Sequence, residues 1–372
     1  MKYGASPHPI LSTPTHLLTK DLEHPMLVYE HQSDGVQRLV ERPEPTPEPG
    51  GLTVRIVTSG ICGTDLKIAR GEHRMFPPGT TRVPGHEAVG IVQENASGRP
   101  EFAVGTPVAI APNISCGACR ACAAGRANLC AHYEAVGLTF DGGFAEVLAI
   151  PAAGVSNGNV IHIPDNLDFL TASLMEPVAA VVRGLRPLNL TATDTVLICG
   201  AGPIGLIALL VAQHAGVHEV LVSQTSSARR ELAREFGADA TFNPRERDLA
   251  EQVREHTGGW GADAVVAAAP VAQVFSDALR CAAKGGRINF FAGLPSGAGT
   301  VPLDANLIHY NELLVTGTTA NTNEDCQEAL ELVASVPELF APLITHRVPL
   351  RQADKAFALA ASGGALKVVL EP

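Results

Sequence analysis

The chain has 372 residues, 46% of them hydrophobic and 17% charged. That is enough for two packed domains with separate cores, and too apolar for a disordered polymer. The formal net charge of −11 excludes a nucleic-acid binder built on clustered Lys and Arg.

The opening stretch, MKYGASPHPILSTPTHLLTKDLEHP, lacks the charged start, apolar run and small-residue cleavage site of an export signal. The longest apolar runs, such as IGLIALLVA, are too short for a membrane span. The expected compartment is the cytoplasm, where thiols stay reduced. Residues 1–25, rich in Pro and Thr, read as a loosely ordered tail.

A β-rich region follows, to about residue 182. The run LTVRIVTSG reads as a strand and delivers Cys62 in GICGTD. His86 and Glu87 lie in VPGHEAVG, a turn that enters another strand. Cys, His and carboxylate side chains are zinc ligands by type. Each alone is more often structural, but the set points to a metal. Farther along, LMEPVAAVV puts Glu176 inside an apolar stretch, where a carboxylate is costly unless it is paired or bound to a cation. The competing reading has Glu176 at a helix N-terminus, facing the dipole or a buried Arg such as Arg183. Glu72, His73, Tyr133, Glu134, Phe140 and Asp141 fall in loops able to line a cleft.

Between these segments, CGACRACAAGRANLC carries four of the eight cysteines in the pattern Cys116-x2-Cys119-x2-Cys122-x7-Cys130. Two-residue gaps let neighbouring thiolates converge on one ion about 2.3 Å away. Four thiolates close a tetrahedral, structural zinc site, and Gly117 and Gly125 suit the tight loop around it. An iron–sulfur cluster, which would make the protein an electron carrier, is the rival.

From Asp194 the pattern changes to β/α alternation. TDTVLICGAGPIGLIALLVAQHAG reads as a buried strand, a glycine turn and a helix. Gly200, Gly202 and Gly205 form G-x-G-x-x-G. They serve respectively the tight turn, the approach of a pyrophosphate to the backbone, and close helix–strand packing. Pro203 and Ile204 complete the loop. The strands HEVLVSQ, ADATFN, ADAVVAAAP, GGRINFFAG and LLVTGTT follow, implying a doubly wound parallel sheet. At the end of the second strand an acid would bind the adenosine ribose and favour NAD. Here stand Ser223 and Gln224, with Arg229 and Arg230 nearby. The missing carboxylate removes repulsion against a 2′-phosphate, which tilts the choice to NADP and leaves NAD open.

GICGTD, VPGHEAVG, the cysteine lobe, DGGFAEV, MEPVAA, GAGPIG and the closing ALKVVL occur in the order found in zinc-dependent medium-chain dehydrogenases. The chain resembles that family from about Met26 to Leu370, with its polyol, sugar and threonine dehydrogenase branch the most similar. The resemblance implies an α/β protein. A GroES-like catalytic domain takes 26–182 and is completed by 323–372, and a Rossmann domain takes 183–322. It implies two zinc ions per subunit. The catalytic one is held by Cys62, His86 and either Glu87 or Glu176, with Glu176 replacing the second cysteine of the simple alcohol dehydrogenases. The structural one is held by Cys116, Cys119, Cys122 and Cys130.

The resemblance further implies hydride transfer from a secondary alcohol to nicotinamide. Thr64 relays the proton, and Asp65 orients a ligand histidine. Lys67 and Arg183 stand where relatives carry histidines. The expected substrate is a polyol, sugar, cyclitol or aminocyclitol, and threonine is an alternative because DGGFAEV also occurs in that group. A non-catalytic, cofactor-binding relative is the other alternative, although zinc-free relatives usually lack both the cysteine lobe and the Cys/His/Glu set, and this chain keeps both. The family forms dimers and tetramers, so a homo-oligomer is expected.

Overall fold

The computed structural model describes residues 25–295 and 297–372. The expected tail lies outside them except for Pro25, which opens the strand Pro25–Gln32.

Two sheets organise the molecule. The first has seven strands, in the order Val160–His162, Pro107–Ile110, Glu87–Asn95, Leu52–Ile61, Lys367–Glu371, Ile344–Pro349, with Val147–Ile150 also paired to Leu52–Ile61. Pairing is antiparallel except between the last two strands of that order. Leu52–Ile61 alternates little in burial because it is covered on both faces. Its register matters most for function. Gly60 stands opposite Glu87, and Ile61 opposite Val368, so the end of the chain is brought beside the VPGHE turn.

The second sheet is wholly parallel. Its strands lie in the order Ala240–Phe242, Glu219–Ser223, Thr195–Cys199, Ala262–Ala267, Ala282–Phe290, Leu314–Gly317. Numbered along the chain this is 3-2-1-4-5-6, the doubly wound dinucleotide-binding order, with its crevice beyond the carboxyl ends of the first and fourth strands. Thr195–Cys199 is buried throughout, and the helix Pro203–His214 is apolar on nearly every side because it is packed from more than one direction.

The helix Met175–Leu185 joins the two halves. It packs on Pro203–His214 and on Asn323–Ser335, and its residues share one core cluster with Ile161, Ile163 and Val89 of the first sheet. Glu176 therefore begins a helix whose other face is locked in core. No described helix is long and apolar enough to cross a membrane.

Candidate active site

Cys62 follows directly on the central strand and caps the helix Gly63–Ala69. Its thiol sulfur accepts from the Thr64 amide at 3.1 Å, and the Asp65 carboxylate accepts from the Cys62 amide at 2.9 Å. This capping box fixes the direction of the thiol. It also shows that Cys62 and Asp65 do the capping, which leaves the Thr64 hydroxyl outside the cap.

The VPGHE turn is held from the DGGFAEV segment. Gly142 and Gly143 donate to Val83 and Gly85 at 2.7 and 2.8 Å, and the Asp141 carboxylate accepts from the Val83 amide at 2.8 Å. Gly85 has φ +94°, and a Cβ there would meet the Phe144 ring. The turn thereby aims His86 at Cys62, with Nε2 to Sγ at 3.0 Å. Cys62, His86 and Glu87 offer ligand atoms all within 4.8 Å of one another.

The electrostatics suit a cation. Burial works against an imidazolium, yet the Cys62 sulfur and Asp65 carboxylate raise the His86 pKa well above its usual value. Burial also raises the pKa of Glu176, with His86 opposing. His86 Nδ1 and Asp65 Oδ1 are buried without hydrogen-bond partners, 3.7 Å apart. Asp65 was expected to orient the histidine. Its Oδ1 faces His86 Nδ1 from just beyond hydrogen-bond range, while Oδ2 accepts from the Cys62 amide. Cys62, His86 and Glu87, whose ligand atoms lie together, form a donor set that fits zinc, and Glu176 falls outside that group.

The two candidate carboxylates are treated differently. Glu87 is paired with Lys367 in the core, and Gly60 leaves the space its carboxylate fills. Glu176 accepts from Asn321 Nδ2 at 2.8 Å. The reading in which Glu176 faces Arg183 is overturned. Arg183 bonds Asp325 at 3.0 Å and Asn128 at 2.8 Å, because it lies two turns along the helix and points elsewhere. Asn321 and Asn113 carried no signal in the sequence, and Lys367 entered only within the closing ALKVVL. A lysine in a terminal strand reads as solvent-facing, and the asparagines read as turn and cap residues.

Of the loop candidates, Tyr133 and His73 lie near the cluster. Burial and the Glu176 charge push the Tyr133 phenol up, with Arg74 opposing. Burial together with Lys67, Arg74 and His86 pulls His73 down. Asp141 turns away to Arg42 and Val83, Glu72 pairs with Arg70 at the surface, and Phe140 packs against a core cluster.

The four lobe cysteines also offer ligand atoms within 4.8 Å of one another. They are free thiols, with Cys119 Sγ 3.5 Å from Cys122 and 3.9 Å from Cys130. Sulfurs on a tetrahedron of zinc–thiolate bonds lie about 3.8 Å apart. Amides of Cys116 and His132 already donate to the Cys130 sulfur.

At the glycine turn, Gly200 has φ +119°, and a Cβ on Gly205 would overlap the Gly200 carbonyl. Gly202 caps the helix Pro203–His214 and has open space where a Cβ would stand. Past Ser223, the Gln224 side-chain oxygen accepts from the Thr225 and Ser226 amides at 2.7 and 3.2 Å and shapes its own turn. Arg230 donates to the carbonyls of Gln224 and Thr225. Arg229 donates to the carbonyls of Gly363 and Ala365, and its Nη1 is buried without a partner.

The chain is similar to known proteins over most of its length. The model described as alcohol dehydrogenase GroES-like domain matches residues 48–165, and that described as zinc-binding dehydrogenase matches residues 203–335. L-threonine 3-dehydrogenase of Pyrococcus furiosus is 34% identical over 338 residues, covering 89% of this chain and 94% of the relative. Sorbitol dehydrogenase of Halalkalibacterium halodurans is 30% identical over 351 residues, covering 93% and 98%. Among solved structures, a zinc-binding dehydrogenase from Sinorhizobium meliloti bound to NADP superposes with a TM-score of 0.87 at 33% identity, covering 94% of this chain and 100% of that one. The chain belongs to the zinc-dependent medium-chain dehydrogenase family and is an NAD(P)-dependent dehydrogenase.

Proposed function

We propose that the protein interconverts a secondary alcohol and a ketone on a polyhydroxylated substrate: a polyol, sugar, cyclitol or aminocyclitol. The observation that carries this reading is the convergence of Cys62, His86 and Glu87, with the buried carboxylate Glu176 acting on the same histidine. Cys62, His86 and one of the two glutamates hold a catalytic zinc, and Cys116, Cys119, Cys122 and Cys130 hold a structural one. Zinc in the first site supplies the electrophile that makes a carbinol proton acidic near neutral pH and polarises the carbonyl in reverse.

The chain's own groups do the rest. The Thr64 hydroxyl, outside the helix cap, accepts the carbinol proton and passes it outward. The capping box around Cys62 and Asp65 keeps the thiol aimed during turnover. The pyrophosphate of the cofactor binds over Gly202, at the N-terminus of the helix that carries Pro203, Ile204 and Gly205. Ser223, Gln224 and Arg229 border the adenosine ribose. With no acid at that strand end, and with Arg229 Nη1 lacking a partner, the site favours NADP. Solved relatives carry either cofactor, NADP in the Sinorhizobium meliloti dehydrogenase and NADH in one from E. coli.

A second reading, oxidation of the β-hydroxyl of threonine, is favoured by the identity to the threonine dehydrogenases. Initial rates with polyols, cyclitols, sugars and L-threonine, each with both cofactors, separate the two. Highest kcat/KM on a polyol or cyclitol supports the first reading, and highest kcat/KM on threonine replaces it. An affinity for NAD about tenfold or more above that for NADP overturns the cofactor preference.

A further inference from the structure

Glu176 is connected to the base of the four-cysteine lobe by an unbroken chain of side chains that ends at Tyr133. Asn321 Nδ2 donates to Glu176 Oε1 at 2.8 Å. Asn113 Nδ2 donates to Asn321 Oδ1 at 2.6 Å, and again to the Asn321 carbonyl at 3.1 Å. The Tyr133 hydroxyl donates to Asn113 Oδ1. Chemistry fixes the direction. A carboxylate only accepts, so Asn321 must present its NH2 to Glu176. That leaves its oxygen for the NH2 of Asn113, and the Asn113 oxygen for a hydroxyl donor. Every donor in the chain points toward Glu176. Asn321 is 1% exposed, so its amide cannot exchange its partners for water at low cost.

The two outer members stand at the foot of the lobe. Asn113 lies in the short strand Asn113–Ile114, which pairs antiparallel with Glu134–Ala135, Asn113 opposite Ala135. Tyr133 immediately precedes that second strand. Everything between the two strands is the lobe and its flanks. A second route runs beside the first. Asn128, inside the lobe, donates to the Thr319 carbonyl at 3.0 Å and accepts from Arg183 of the Glu176 helix at 2.8 Å. The lobe thus grips both the segment that carries Asn321 and the helix that carries Glu176.

We propose that Tyr133, Asn113 and Asn321 are positioning residues for Glu176, a ladder through which the base of the four-cysteine lobe holds the carboxylate of the catalytic centre. This rests on the reading of Glu176 as part of that centre. Holding one carboxylate oxygen on an amide fixes its rotation and leaves the other oxygen for the catalytic metal.

The test uses the holoenzyme reconstituted with Co2+, whose ligand-field bands report the catalytic coordination shell. Bands of the lobe site are taken from Cys62→Ala protein and subtracted. Glu176→Gln, Asn321→Leu, Asn113→Ala and Tyr133→Phe are compared with wild type, together with kcat/KM and the thermal midpoint. The expected result is a band shift of the same sense in all four. For the two asparagine variants, kcat/KM falls about 10–100-fold. Tyr133→Phe keeps the ring and the fold and shifts the bands least. Wild-type bands in Asn113→Ala and Tyr133→Phe, with Glu176→Gln shifted, overturn the proposal and spare the reading beneath it. Wild-type bands in Glu176→Gln overturn that reading itself.

Discussion

Lys367 and Glu87 form an ion pair in the core, with side chains 4% and 1% exposed, where the last strand meets the turn that carries His86. Lys367 also donates to the Ile61 carbonyl at 3.3 Å, one residue before Cys62. The pair thus anchors two segments that supply metal-cluster residues. Removing only the cation leaves a carboxylate buried and unpaired, and breaking such a pair costs about 3–5 kcal/mol. Lys367→Met is therefore expected to lower unfolding stability by that amount. The double variant Lys367→Met, Glu87→Gln is expected to lose less than the single one. Urea unfolding of both, beside wild type, measures the difference, and equal losses would show that the pair is not coupled.

Much of the site could be read from the sequence because its motifs are local. Cys62 with Asp65, His86 with Glu87, and the four lobe cysteines each sit within a short stretch whose spacing states the geometry. The glycine turn was legible for the same reason, since a positive φ at Gly200 and close packing at Gly205 are demands on single positions. What stayed hidden are partnerships across long separations. Lys367 and Glu87 are 280 residues apart, Asn113 and Asn321 are 208 apart, and Asn321 and Glu176 are 145 apart. Sheet register and helix packing create these pairs, and no local pattern encodes them. The competing reading that set Arg183 beside Glu176 fails for a related reason. Both lie on one helix, but only the fold brings Asp325 and Asn128 to the arginine.

His31 is fully buried in an aromatic cluster, with ring centroids 5.0 Å from both Tyr29 and Phe357 and no partner on either nitrogen. Burial lowers its pKa from 6.5 to about 3. Between those values the unfolded chain holds a proton that the native chain does not, so stability falls as pH drops through that window. The slope from this one group is about 1.4 kcal/mol per pH unit. His31→Phe keeps an aromatic ring in the cluster and is expected to flatten the acid limb of the stability curve. Unfolding midpoints across the window, compared with wild type, check it. An unchanged slope would assign the acid sensitivity to other groups.

In metal-free protein the lobe thiols are expected to react unequally. Amide donors from Ala131 and Cys122 pull Cys119 down to about 6, while burial pushes Cys130 up to about 11. The thiolate is the nucleophile, so Cys119 should be alkylated faster at neutral pH, its rate levelling off above its pKa. Mass spectrometry after iodoacetamide treatment of chelator-stripped protein measures both rates. Faster labelling of Cys130 would contradict the arrangement of donors. Restoring zinc should protect both.

Gln224→Asp tests the cofactor preference at the strand end. Asp can still accept amide donors from the following residues, so the turn that Gln224 shapes is retained. Its charge repels a 2′-phosphate and accepts from ribose hydroxyls. The NADP-to-NAD ratio of kcat/KM is expected to fall by about tenfold or more, equivalent to about 1.4 kcal/mol. A ratio that holds or rises would mean that position 224 does not face the ribose.

The most direct test of the two-site account is zinc per subunit, by elemental analysis, in wild type and in Cys62→Ala. About two zinc ions are expected in wild type and about one in the variant, with hydride transfer lost and the fold retained. One zinc in both proteins would mean that only the four-cysteine lobe is occupied. That would contradict a catalytic metal at Cys62, His86 and the neighbouring glutamates.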